Sequence, residues 1–175
     1  MTPNPPDGAN AIVDLRIDEI PLLNQFGRDI HYHDKQEQNV WLDKEDGSIL
    51  YIYVNDEDSI PNGVSESENR RSKRSVAQES SRYIRIPGLT HGECHLIHDE
   101  FLRWRNDPES IDQEGPIRDN DELRRARILQ GNSIKRWKSE STDEEFEAYN
   151  DYRDQRVKRL AERYLRERGI NPIWS

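Results

Sequence analysis

Apolar positions along this chain follow two rhythms. In the first half they alternate or cluster in short β-branched and aromatic runs; after Pro87 they recur every three or four residues. Val40-Trp41-Leu42 and Ile49-Leu50-Tyr51-Ile52-Tyr53-Val54, with Asp46-Gly47 between them, predict a hairpin over residues 39–54. Tyr83 to Ile86 predicts a third strand, ended by Pro87-Gly88. Further upstream, Ala11-Ile12-Val13, Leu15, Ile17, Ile20, Leu22, Leu23 and Phe26 predict a short strand near 11–16 and a short helix near 19–26. Pro21 is acceptable there because it falls in the first helical turn, and Gly27 closes the segment.

The second half predicts helices with identifiable ends. Thr90-His91-Gly92-Glu93 is a capping box, and Cys94, Ile97, Phe101 and Trp104 then share one face until Asn106-Asp107-Pro108. A helix from Asp119 would carry Leu123, Ala126 and Leu129, and Gly131-Asn132 breaks it. Ser133 to Lys138 predicts a short helix bearing Ile134 and Trp137. Thr142-Asp143-Glu144-Glu145 opens a long helix with Phe146, Tyr149, Arg153, Val157, Leu160, Ala161 and Tyr164 on one side, stopped at Gly169-Ile170 and Asn171-Pro172. Residues 55–81 break both rhythms: Pro61, Gly63, seven serines and Arg70-Arg71-Ser72-Lys73-Arg74 leave too little to bury, which predicts a mobile loop or transient helix. The expectation is one α+β domain over 11–175 after a disordered tail, 1–10. A small antiparallel sheet of three to four strands from residues 11–86 packs on three to four helices from residues 87–175.

Composition changes this picture little. The chain is 32% hydrophobic and 35% charged over 175 residues, and its four Trp, seven Tyr and three Phe can anchor a modest core. One cysteine excludes an internal disulfide and suits a reducing, cytoplasmic setting. No apolar run suggests a membrane partner, and Met1 to Asn10 lacks the basic flank and apolar centre of a signal peptide. Charge is more informative. Residues 1–60 hold 4 Lys/Arg against 13 Asp/Glu, whereas residues 69–85 hold 6 against one. An acidic chain does not bind nucleic acid indiscriminately, but that basic stretch can meet an acidic partner.

Several motifs together resemble a known family. Leu42-Asp43-Lys44-Glu45-Asp46-Gly47 is similar to the Leu-Asp-x-Glu-Thr-Gly turn of the bacterial uncharacterised protein family numbered one-fifty-eight in the UPF series. Ile86-Pro87 resembles the strand end of that family, Phe101 its helix Phe (with His98 where the family has Met), and Gly131 to Lys138 its glycine-rich break before Phe-Arg-Arg-Phe-Lys. The two Phe positions of that signature are Ile134 and Trp137 here. The terminal helix, Tyr149 through Ile170, completes a resemblance spanning roughly residues 38–172. The resemblance implies the α+β layout and carries no activity or catalytic residues.

Three places could hold chemistry or binding. On a wheel of 100° per residue, His91, His95 and His98 fall within a stripe of about 60° beside Cys94, a spacing that lets two imidazoles meet one zinc or other transition ion. Unlike the HExxH motif, Gly92 follows the first His, and Glu93 belongs to the cap, so the general base of a zinc protease is missing. The competing reading puts His98 at a core edge and the other two in solvent. Second, Arg156, Arg159, Arg163 and Arg166, with Tyr152 interleaved, could grip phosphates or stack on bases, with Arg124, Arg125, Arg127, Lys135 and Arg136 widening the patch. Glu162 and Glu167 could equally make this an ordinary paired face. Third, Arg70, Arg71, Lys73 and Arg74 could form a docking segment for a partner.

No glycine-rich phosphate loop, nucleophile elbow or CxxC pair occurs, and no catalytic residue is assigned. The expected role is a non-catalytic interaction or adaptor module with a protein partner. Nucleic-acid binding through the arginine helices comes second, and a metal-binding protein or metal-dependent enzyme third. No cofactor is expected beyond that optional metal.

Overall fold

The computed structural model describes residues 12–29, 38–54, 65–117 and 134–175, with the side chains of 134 and 135 excluded. The tail 1–10, the helix expected from Asp119 with its Arg124, Arg125 and Arg127, the Gly131-Asn132 break and residues 55–64 of the expected loop lie outside these residues.

The first strand, β1 (Val13–Ile17), leads directly into α1 (Glu19–Phe26), with Pro21 inside its first turn. Gly27 closes α1 by donating its amide to the Leu23 carbonyl at 2.8 Å. The hairpin β2 (Gln38–Asp43) and β3 (Ile49–Tyr53) follows, and β4 (Tyr83–Ile86) pairs antiparallel with the other side of β2, giving the order β3-β2-β4. The hairpin turn needs its glycine twice over: Gly47 has φ 77°, and a Cβ there would run into the Arg16 carbonyl of β1. Asp43, buried at the start of the turn, accepts the Glu45 amide at 2.9 Å and the Arg82 guanidinium at 2.5–2.9 Å. That pair ties the hairpin tip to the entry of β4.

The helical half follows the sequence boundaries closely. α3 (His91–Asn106) starts at the Thr90 capping box, with the Thr90 amide donating to Glu93 at 2.7 Å. A 3₁₀ turn (Pro108–Ser110) ends it; α4 (Ile134–Glu140) and the long α5 (Asp143–Arg166, capped by Thr142) complete the helices. The buried seam joins Leu15, Ile17, Leu22, Val40, Leu42, Ile86, Ile97, Phe101, Val157, Ala161 and Leu165, so sheet and helices share one core. Phe101, Trp137, Tyr149 and Tyr152 pack ring to ring within it, with centroids 5.4–5.9 Å apart.

Three features depart from expectation or decide between its alternatives. The chain does not end on the helix stop: Gly169, at φ 77°, turns it into β5 (Ile170–Trp174), which pairs parallel with β1 from Val13↔Ile170 to Ile17↔Trp174. Pro172 disguises this strand, and its missing amide is tolerated because β5 is at an edge. Second, of the loop and the transient helix expected for the basic segment, the structure has the helix from 66 onward. α2 (Glu66–Gln78) is a 13-residue helix with a Ser65/Glu68 capping box. Its Asn69 side chain mimics a strand, accepting the Tyr53 amide at 3.0 Å and donating to the Tyr53 carbonyl at 3.1 Å. Third, the buried side of α5 includes Tyr152 and Arg156, while Phe146 is exposed at the helix start.

Candidate functional site

Residue by residue, the histidine stripe separates. His98 is 1% exposed and packs edge-on against Trp137 and Tyr149, with ring centroids 4.8 and 5.3 Å away. It is a core residue, and it leaves the candidate metal set. Cys94 also turns inward against the core. Burial, and then the nearby Asp29 charge, push its thiol up to about 11, which opposes thiolate chemistry. His91 and His95 stay together on the first turns of α3. Their Nε2 atoms lie 2.9 Å apart, and Asp29 Oδ2 sits 2.9 Å from His91 Nδ1. Asp29 was absent from the sequence candidates because 62 residues separate it from His91. A bridge between Asp29 and Leu89, with the Leu89 amide on the Arg28 carbonyl at 2.8 Å, brings it there.

The arginine stripe divides between core and surface. Arg156 is fully buried, and each of its groups is used. Nε and Nη2 reach the two Glu100 oxygens at 2.8 and 3.2 Å, while Nη1 donates to the Gln113 and Gly115 carbonyls at 2.6 and 2.8 Å. Tyr152 is 4% exposed in the aromatic core. Burial, reinforced by the Glu100 charge, holds its phenol well above the ordinary range. Arg159 pairs with Gln113 and Glu114, Arg163 with Glu167 at 2.8 Å, and Arg166 with Glu162 at 3.4 Å. On the other side of the sequence patch, Arg136 pairs with Glu140 at 2.8 Å. These contacts make α5 a strut with a paired outer face.

The basic helix behaves differently. Asn69 and Val76 aim α2 at the sheet, so Arg70, Arg71, Lys73 and Arg74 lie on its exposed sides. Arg70 pairs with Glu66, and Lys73 reaches the Val54 carbonyl at 3.5 Å. Arg71 and Arg74 form no salt bridge among the described residues. The sheet beneath has two faces. Val40, Leu42 and Ile86 point into the main core, while Ile52 and Tyr83 form a second cluster with Val76 of α2. Trp41 and Leu50, directly opposite each other in register, belong to this outer face and remain only partly covered. Arg85, exposed, lies across from Trp41 on the other neighbouring strand.

A groove of about 380 Å³ runs between Phe26, Leu89, Ile117, Leu160 and Tyr164. Its polar groups are already engaged: Arg163 with Glu167, and Glu93 with the α3 cap. It lacks the converging polar groups of an active site. Among the described residues no helix is long and apolar enough to cross a membrane. No family model, curated protein or solved structure matches this chain.

Proposed function

We propose that this protein is a non-catalytic interaction module of the bacterial cytoplasm that docks an acidic protein segment on the outer face of its antiparallel sheet. One observation carries this: the partly covered Trp41–Leu50 pair sits on the same sheet face as α2 and Arg85. Trp and Arg are the residues that dominate protein-binding hot spots, an apolar anchor ringed by cations that select the sign of the partner. The basic α2 stands out because the chain as a whole carries a net charge of −9. The family resemblance supplies no activity, so the reading rests on this surface alone.

The test is pull-down from bacterial extract with the wild-type chain and with Arg71→Glu/Arg74→Glu, each with and without nuclease. Both arginines are exposed, so the variant should keep its stability within about 0.5 kcal/mol. A protein partner that survives nuclease and is lost with the charge reversal supports the proposal. Capture abolished by nuclease would assign the surface to nucleic acid instead. Equal capture by both chains would refute the role of α2.

A further inference from the structure

We infer that His91 and His95, oriented by Asp29, form a binding site for a divalent transition-metal ion of the imidazole-preferring class, zinc or copper(II). This rests on the far end of α3 and is independent of the docking surface. Two histidines four residues apart on a helix put both rings on one side, and here they meet at their Nε2 atoms, 2.9 Å apart with ring centroids at 4.4 Å. Nitrogen ligands of one tetrahedral zinc lie roughly 3.3 Å apart, given metal–nitrogen bonds of about 2.0–2.1 Å. The rings therefore need to part only slightly to admit an ion.

Asp29 supplies the second element of such a site. Its carboxylate accepts from His91 Nδ1 at 2.9 Å, which leaves the Nε2 lone pair facing His95. Carboxylates behind metal-bound imidazoles do this: they fix the tautomer and raise ligand basicity. The backbone bridge from Asp29 to Leu89 holds the carboxylate in place without a metal.

Electrostatics sets limits on the affinity. The positive end of the α3 dipole disfavours any cation near His91. The Asp29 and Glu93 carboxylates oppose the dipole, and Arg153 of α5 is engaged by the Gly27 carbonyl at 2.6 Å. The His91 side chain is 44% exposed, so an ion and completing waters can reach it. No cluster of three or more His, Cys, Asp or Glu suited to a metal occurs among the described residues, so this is an open, exchangeable site rather than a closed structural one.

The experiment is calorimetric titration of untagged full-length protein with zinc chloride or copper chloride, alongside electron paramagnetic resonance of the copper form. The expected result is about one ion per chain, copper tighter than zinc as the usual series of divalent metals dictates, with nitrogen hyperfine structure from two imidazoles. His91→Ala/His95→Ala should abolish that binding, and Asp29→Asn should weaken it by about 10–100-fold. Cys94→Ser should leave it unchanged, and circular dichroism checks that each variant is folded. Absence of stoichiometric binding overturns the inference. So does equal binding by the double-histidine variant, which would place the ion elsewhere on the chain. An unchanged affinity in Asp29→Asn would overturn the role given to the carboxylate.

Discussion

Replacing Arg156 distinguishes a buried strut from a ligand-binding surface. Arg156→Met keeps the aliphatic stem but removes four hydrogen bonds: two to Glu100 and two to the Gln113 and Gly115 carbonyls. Its side chain is 0% exposed and that of Glu100 8%, so the carboxylate cannot turn to water without opening the fold. Breaking one side of a buried ion pair costs about 3–5 kcal/mol, far above the 0–1 kcal/mol of a surface pair. For a chain of this size each kcal/mol lowers Tm by about 2–4 °C, so the melting point should drop by roughly 6–20 °C. Urea unfolding followed by circular dichroism measures the free energy. Adding Glu100→Leu should restore part of the loss, because the stranded charge is removed with its partner. The two bonds to the Gln113 and Gly115 carbonyls stay lost, so recovery should be incomplete. A loss below about 1 kcal/mol for Arg156→Met would refute the strut.

Three further outcomes follow from local chemistry. Asn69→Ala should cost about 1–3 kcal/mol and speed hydrogen exchange at the Tyr53 amide, because both backbone groups of Tyr53 lose their partner. Unchanged protection there would show that α2 does not depend on Asn69. Backbone donation from Thr142 and then the Arg105 contact hold the Glu145 carboxyl below its ordinary value. A depressed acid stabilises the folded state above its unfolded value near 4.5 and loses that contribution as pH falls through the lower folded value. Glu145→Gln, which removes the carboxylate that accepts the Thr142 amide, should therefore destabilise the fold at neutral pH and cost less in acid, as pH-dependent urea melts would report. Cys94 should react slowly with a thiol reagent at pH 8 and rapidly in urea, since burial raises its thiol to about 11; equal rates would contradict that.

Local patterns carried much of the architecture. The hairpin, the third strand and the boundaries of α1, α3 and α5 were legible because each rests on neighbouring residues: Asp46-Gly47 for the turn, and Thr90/Glu93 and Thr142/Glu145 for the helix starts. The segment around α2 stayed open between a loop and a transient helix because its composition lacks apolar residues. Two inward residues, Asn69 and Val76, and the Ser65 capping box are enough once a sheet edge is present to receive them. β5 was missed for a related reason, since Pro172 signals a stop unless β1 lies alongside.

The candidate sites divide along the same line. By itself the sequence determined that His91 and His95 share a helix face, that Arg71 and Arg74 form a basic cluster in an acidic chain, and that no familiar catalytic motif is present. The tertiary structure decided which of these residues face water. Helical spacing puts His98 near His91 and Arg156 in line with Arg159, yet Trp137 and Tyr149 enclose the first and Glu100 captures the second. Asp29 joins His91 only through packing across 62 residues. Periodicity sets the angle of a side chain about its own helix axis; burial and long-range partners depend on what packs against that angle.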